Sequence, residues 1–385
     1  MCSQNMDNSC RNGDNPEYIA VMKKIKESEK WLDPIRGCLI GGAAGDALGY
    51  PVEFLSFGEI CGKYGTEGIG DYQVSRESGK ALISDDTQMT LFTANGILKG
   101  ATRMYTRGVA GPPEGYIHMA YLDWLETQTG KPSKLRISWL SETDGLRFRR
   151  APGLTCLSAL ESGVMGTLEK PINNSKGCGG IMRVAPIALY PKRPDPLTGA
   201  KVAAITHGHP LGYMPAAALV QIISRIVYGG CPKGDTLYDI VGECFDVMGK
   251  LFPGNEYLND LLGIMELAVT LSRNGDSDID NIVRIGKGWV AEETLGISLY
   301  CALKYYGDFS RAVTAAVNHG GDSDSTGSVT GNIVGAHIGY NGIPGKWKKD
   351  LELHDIILEI ADDICHDCQM DEYSSSDYMG WSRKY

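Results

Sequence analysis

Three acidic stretches carry the side chains best suited to chemistry in this 385-residue chain. Ser84-Asp85-Asp86-Thr87 and Asp322-Ser323-Asp324-Ser325 each place two carboxylates and two hydroxyls at the start of a helical run, and Glu53 follows Pro51-Val52. At a helix N-terminus the macrodipole and free amides keep carboxylates ionised, and ionised oxygen is the donor a hard cation such as Mg²⁺ or Mn²⁺ prefers. Glu53, Asp85, Asp86, Asp322 and Asp324 would bring five negative charges together. Without cations they would repel or take up protons. Two divalent ions roughly 4 Å apart would neutralise most of that charge and hold a bridging water, as in two-metal hydrolases. Each cluster alone also reads as a plain helix cap; two of the same type, both beside buried helices, point to metal.

Calcium loops are excluded. Asp322-x-Asp324-x-Thr326-Gly327 imitates the opening of an EF-hand, but its twelfth position is Ile333 where a bidentate glutamate is required. The Asp276–Asp280 run fails in the same way, with Asn281 in place of the glycine and Lys287 in place of the glutamate.

The acids need elements to position them. Gly37, Gly41, Gly45 and Gly49 recur every four residues, and so do Gly327, Gly331, Gly335 and Gly339. That spacing puts each set on one helix face. A glycine costs a helix roughly 1 kcal/mol relative to alanine, so eight of them imply a compensating close approach of two buried helices. Packed antiparallel, the end of the first (closed by Pro51) meets the start of the second (opened at Asp322–Thr326), and their carboxylates converge. Helical periodicity also marks Met89–Leu98, Tyr116–Leu125, Ala216–Val227, Tyr257–Leu271, Val290–Leu303 and Leu351–Ile364, with turn signals at Gly111-Pro112-Pro113, Pro191–Pro196 and Gly275–Asp280. Strand alternation is scarce. The pattern predicts an all-α, single-domain bundle over 33–370, an N-terminal extension over 1–32 with a short helix near Tyr18–Trp31, and a tail over 371–385.

Composition narrows the class. The net charge of −10 argues against a nucleic-acid footprint. The 11 scattered cysteines do not form a disulfide framework, and Cys365-His366-Asp367-Cys368 lacks a second pair at zinc spacing. With no signal pattern and no apolar run of the ~18–20 residues a membrane helix needs, a cytoplasmic protein without membrane association is expected. Ala216–Val227 is interrupted by Gln221 and Arg225.

Gly45-Asp46-Ala47-Leu48-Gly49 with Glu53, Ser84–Met89, Gly179-Gly180-Ile181-Met182-Arg183 and Asn318–Thr326 together resemble the ADP-ribosyl-hydrolase family, also called the dinitrogenase-reductase-activating glycohydrolase family. The motifs occur in the family's order from about Pro34 to Ile343. The resemblance implies an orthogonal helical bundle of the ADP-ribosylglycohydrolase type, two divalent cations (magnesium ahead of manganese), and release of ADP-ribose from a modified protein or small molecule. It places metal ligands at Ser84, Asp85, Asp86, Asp322, Asp324 and Ser325, with Glu53 and Asp324 as catalytic residues. It assigns the diphosphate to the loop containing Ser175, Lys176, Gly177, Gly179 and Gly180, with Met182 and His207 beside the ADP-ribose. The loop has suitable chemistry of its own, since glycines let amides face anionic oxygens and Lys176 adds charge. Taken alone it also reads as a plain turn.

Cleavage at the anomeric carbon of the distal ribose is implied, through an oxocarbenium-like transition state. Family members acting on ADP-ribosyl-arginine carry an acid near the segment matching Arg150–Cys156; here the flank is Arg147, Arg149 and Arg150. Serine-linked ADP-ribose, O-acetyl-ADP-ribose and, less favoured, a nucleic-acid adduct stay open as substrates. A non-catalytic ADP-ribose-binding or structural member is the alternative, but it would be expected to lose acidic ligands that this chain keeps. An unrelated two-metal phosphohydrolase would recruit histidines; the chain has seven, none inside either acidic cluster.

Overall fold

A computed structural model describes residues 29–190, 195–229, 236–368 and 378–385. Among these residues the fold is all-α, with isolated bridges (Val74 with Ala81, Ala81 with Leu351, Gly177 with Val290) as the β-type pairing. The expected helix near Tyr18–Trp31 lies outside the described residues except for Glu29–Trp31, a 3-10 turn.

The two glycine helices form the centre. The first spans Leu32–Gly49 and the second Ser323–Gly342. They pack antiparallel with their glycines in register: Gly37 faces Gly335, Gly41 faces Gly331, Gly45 faces Gly327, and Gly49 faces Ser323. A β-carbon built on Gly327 would fall 2.5 Å from the Gly45 carbonyl oxygen, and one on Gly49 would fall 2.6 Å from Asp324 Cα. Real side chains do not fit there. The helices therefore touch backbone to backbone, which compensates the entropy cost of glycine. Asn332 ties them further, donating from Nδ2 to the Cys38 carbonyl at 2.8 Å. The second stripe is less regular than its spacing suggests, because Gly339 adopts φ +73° and breaks the helical path. That conformation favours glycine and lets Asp33 lie against it, accepting from the Asn341 amide at 3.0 Å.

Other helices wrap this pair. The acid-led helix Asp85–Arg107 packs on Pro113–Thr129, with Gly96 against the Ile117 backbone. Gln88 joins them by accepting from Trp124 Nε1 at 3.1 Å. The periodic runs at Ala216–Val227, Tyr257–Leu271 and Val290–Leu303 lie within or almost coincide with helices Pro210–Tyr228, Leu258–Leu271 and Ala291–Lys304. Helix His354–His366 begins three residues later than the Leu351 start of its periodic run. One sequence expectation needs correction: Pro210–Tyr228 is long and apolar enough, by length and composition, to cross a membrane (mean hydropathy 1.3), because Gln221 and Arg225 dilute the run less than expected. It is a core helix of this bundle, 78% buried inside the protein. The last residues form a helix, Tyr378–Lys384, that docks on the body: Trp381 donates to Thr102 at 2.9 Å, and the Tyr385 hydroxyl donates to Asp363 at 2.8 Å.

Candidate metal centre and surrounding cleft

Where the first glycine helix ends, Pro51 leads a 3-10 turn, Tyr50–Val52, that delivers Glu53. Where the second begins, Asp322 caps it, accepting from the Ser325 amide at 3.3 Å, while Asp324 accepts from the same amide at 3.0 Å. Antiparallel packing brings these ends together, and carboxylate oxygens of Glu53, Asp322 and Asp324 lie within 4.8 Å of one another. The third acidic cluster opens helix Asp85–Arg107, with the Ser84 hydroxyl accepting from the Asp86 amide at 3.2 Å. Asp85 accepts from the Gly153 amide at 3.1 Å.

All five acids line one cavity of about 390 Å³ together with Ser325, Gly177, Gly179, Met182 and His207. Ser84, Ser175, Lys176 and Gly180 are not on its wall. The Ser84 hydroxyl serves as a cap, and Gly180 packs against the Gly212 carbonyl. The charge expected from Lys176 is already engaged, because its ammonium pairs with Glu292. Two of the loop amides are committed as well: Gly177 donates to the Ser175 hydroxyl, and Cys178 to the Trp289 carbonyl at 3.2 Å.

The electrostatics follow from burial. Desolvation, reinforced by Asp324, raises the carboxyls of Asp85, Asp86 and Asp322 well above the ordinary range. Glu53 is pushed up to about 10, by burial first and then by Asp324, Asp322 and Asp85. Glu53 Oε2 and Asp86 Oδ2 are buried with no hydrogen-bond partner. Buried oxygens of this kind are costly unless something satisfies them. An all-oxygen donor set with excess negative charge and orphaned lone pairs fits a hard divalent cation.

Four features escaped the sequence reading. Asp46, fully buried in the first glycine helix, accepts from the Ser84 amide at 3.0 Å and the Thr87 amide at 3.1 Å, so it holds the turn that presents Asp85 and Asp86. Burial and then Asp324 raise its carboxyl to about 7 against the pull of Thr87 and Ser84. An acid inside a stripe of buried glycines was the available signal. Phe54, 69% exposed and at φ +67°, stacks on Trp289 at the cavity wall, with ring centroids 5.3 Å apart and planes 22° apart. Cys178 donates its thiol to Asp322 at 2.6 Å. Arg183 is fully buried behind the glycine loop. Arg183 ends the Gly179–Arg183 motif, which gives no sign of its burial, and no local pattern marks Phe54 or Cys178.

Comparison with known proteins agrees with this architecture. Residues 27–374 match the family model described as ADP-ribosylglycohydrolase, and the chain belongs to that family. It is 24% identical over 335 residues to the ADP-ribosyl-[dinitrogen reductase] glycohydrolase of Rhodospirillum rubrum, covering 83% of this chain and 91% of that one. It is 26% identical over 200 residues to human ADP-ribosylhydrolase ARH3, a match spanning 46% of this chain and 54% of that protein. A solved structure titled ADP-ribosylglycohydrolase-related protein complex shares the fold, with a TM-score of 0.61 and 23% identity over 88% of this chain and 98% of that one.

Proposed function

We propose that this chain hydrolyses the bond between the distal ribose of ADP-ribose and an attached side chain or small molecule, using two divalent cations. The observation that carries the reading is the meeting of Glu53, Asp322 and Asp324 within 4.8 Å in a cavity that also holds Asp85 and Asp86. Family membership supports the reaction class. The ligands would be Asp85, Asp86, Asp322 and Asp324 with the hydroxyl of Ser325, which lines the cavity where Ser84 does not, and magnesium is the first choice ahead of manganese. When bound, such cations supply Lewis acidity, lowering the pKa of an attacking water and holding vicinal ribose hydroxyls.

Glu53 is the residue for proton transfer. Its Oε2 is buried and unpartnered beside Asp322 and Asp324, placed to exchange a proton with the water or the leaving group. Asp324, in the first turn of its helix, would bridge or orient the cations and share in proton transfer. The glycine loop and His207 would hold the diphosphate, and Met182 would pack against the nucleotide. Phe54, next to Glu53 in sequence, and Trp289 line the same cavity and would face the leaving group.

The test is release of free ADP-ribose from a panel of arginine-linked, serine-linked and O-acetyl substrates with Mg²⁺ or Mn²⁺, for wild type and Asp324→Ala. Turnover of at least one linkage by wild type alone supports the proposal. ADP-ribose binding without turnover of any linkage would favour a non-catalytic member of the family.

A further inference from the structure

Arg183 is fully buried, and its bonding groups among the described residues are neutral. Its guanidinium stacks 4.4 Å from the Tyr121 ring centre. Nη1 faces Met89 Sδ and Cys156 Sγ, each at 3.5 Å, and Nη2 donates to the Val202 carbonyl at 3.3 Å and to Thr206 Oγ1 at 2.6 Å. Burying a cation without an opposite charge is costly, so its placement calls for a reason.

The reason lies in the next bond. Arginine only donates, so the Thr206 oxygen is the acceptor in that pair and the hydroxyl keeps its single proton for another partner. His207 Nδ1 lies 2.8 Å from that oxygen, and Cys156 Sγ bonds the same hydroxyl. With the hydroxyl proton given to Nδ1, the proton of the neutral ring sits on Nε2. The Nε2 edge lies at the glycine loop: a β-carbon on Gly177 or on Gly179 would come 3.3 Å from it. His207 lines the acidic cavity, and the described hydrogen bonds of its ring are all made through Nδ1.

We propose that Arg183 and Thr206 are positioning residues that fix His207 as a neutral Nε2–H donor, aimed at an anionic oxygen of the ligand's diphosphate. This rests on the ADP-ribose reading of the cleft. Burial, with the Arg183 charge second, lowers the His207 pKa to about 3, which keeps the ring uncharged. A neutral donor suits a cavity lined by Asp85, Asp86, Asp322 and Asp324. An imidazolium would be drawn to those carboxylates, whereas a preset N–H serves the incoming phosphate. Gly177 and Gly179 leave the space that brings the donor and the loop to one ligand.

The experiment uses the full chain and two readouts: nitrogen-15 NMR of the His207 ring without ligand, and calorimetric ADP-ribose affinity with Mg²⁺. Wild type is expected to hold the Nε2–H tautomer. Thr206→Val should lose that bias and bind ADP-ribose about tenfold more weakly, the scale of one hydrogen bond to a charged group, with KM rising and kcat little changed. Thr206→Ser should restore both tautomer and affinity. In a His207→Gln background, whose amide donates without a tautomer, Thr206→Val should have less than about a twofold effect. An Nδ1–H ring in wild type, or an equal loss from Thr206→Val in both backgrounds, would overturn the proposal. An Nε2–H wild type that does not bind millimolar ADP-ribose would support the relay and overturn the functional reading beneath it.

Discussion

Gly45 and Gly327 meet with no side chain between them, each with its Cα against the other's carbonyl. That contact sets the distance between the end of one helix, which carries Glu53, and the start of the other, which carries Asp322 and Asp324. Gly45→Ala forces a β-carbon into backbone that cannot rotate away. Overpacking of a core typically costs about 1–3 kcal/mol, and this site is expected at or above the top of that range in denaturant unfolding. Gly62→Ala is the control: it sits in helix Phe57–Tyr64 with open space around it, so the substitution should stabilise by about 0.5–1 kcal/mol.

Cation binding should be strongly pH-dependent. The folded Glu53 carboxyl lies near 10, above its unfolded value of about 4.3. Asp85, Asp86 and Asp322 are raised in the same direction. Groups raised in this way leave the metal-free fold most stable below the unfolded value, and stability falls as pH climbs toward 10. Magnesium or manganese competes with those protons. The rise in Tm on adding Mg²⁺ should therefore be larger at pH 8 than at pH 6, and EDTA should abolish it. An increment that shrinks with rising pH would contradict the assignment.

Glu53→Gln separates activity from stability. Loss of the proton-transfer group should lower kcat by about a hundredfold or more. The same change removes a carboxyl from a crowded acidic cavity, so the metal-free variant should melt higher than wild type at pH 8. A variant that loses activity and stability together would indicate a structural role instead.

Phe54 holds a left-handed backbone conformation while exposing most of its ring, a strain of order 1–3 kcal/mol for a non-glycine residue. Phe54→Gly relieves that strain and forfeits a stack of about 0.5–1.5 kcal/mol. Unfolding free energy should therefore change by between about −0.5 and about +2.5 kcal/mol. Trp289 emission should shift as its partner ring departs, and KM should change more for substrates with bulky leaving groups than for compact ones.

The scaffold was largely legible because glycine at every fourth position has few physical explanations. Acid clusters at helix starts were legible too, since capping chemistry and metal chemistry use the same residues there. What stayed hidden depends on contacts between distant segments. Asp46 serves a turn some forty residues away, Lys176 turned out to be engaged by Glu292, and Arg183 acts through Thr206. Phe54 and Trp289 meet only because two loops converge. Periodicity reports which face of an element is buried, and is silent about which partner it meets.

Side-chain packing softens with heat before a protein melts, but the glycine seam has no side chains to soften. The two strips of peptide that carry Glu53 and Asp324 can separate only if the whole core opens. Warming should therefore leave catalytic geometry intact up to the unfolding transition, and then abolish it in the same narrow interval.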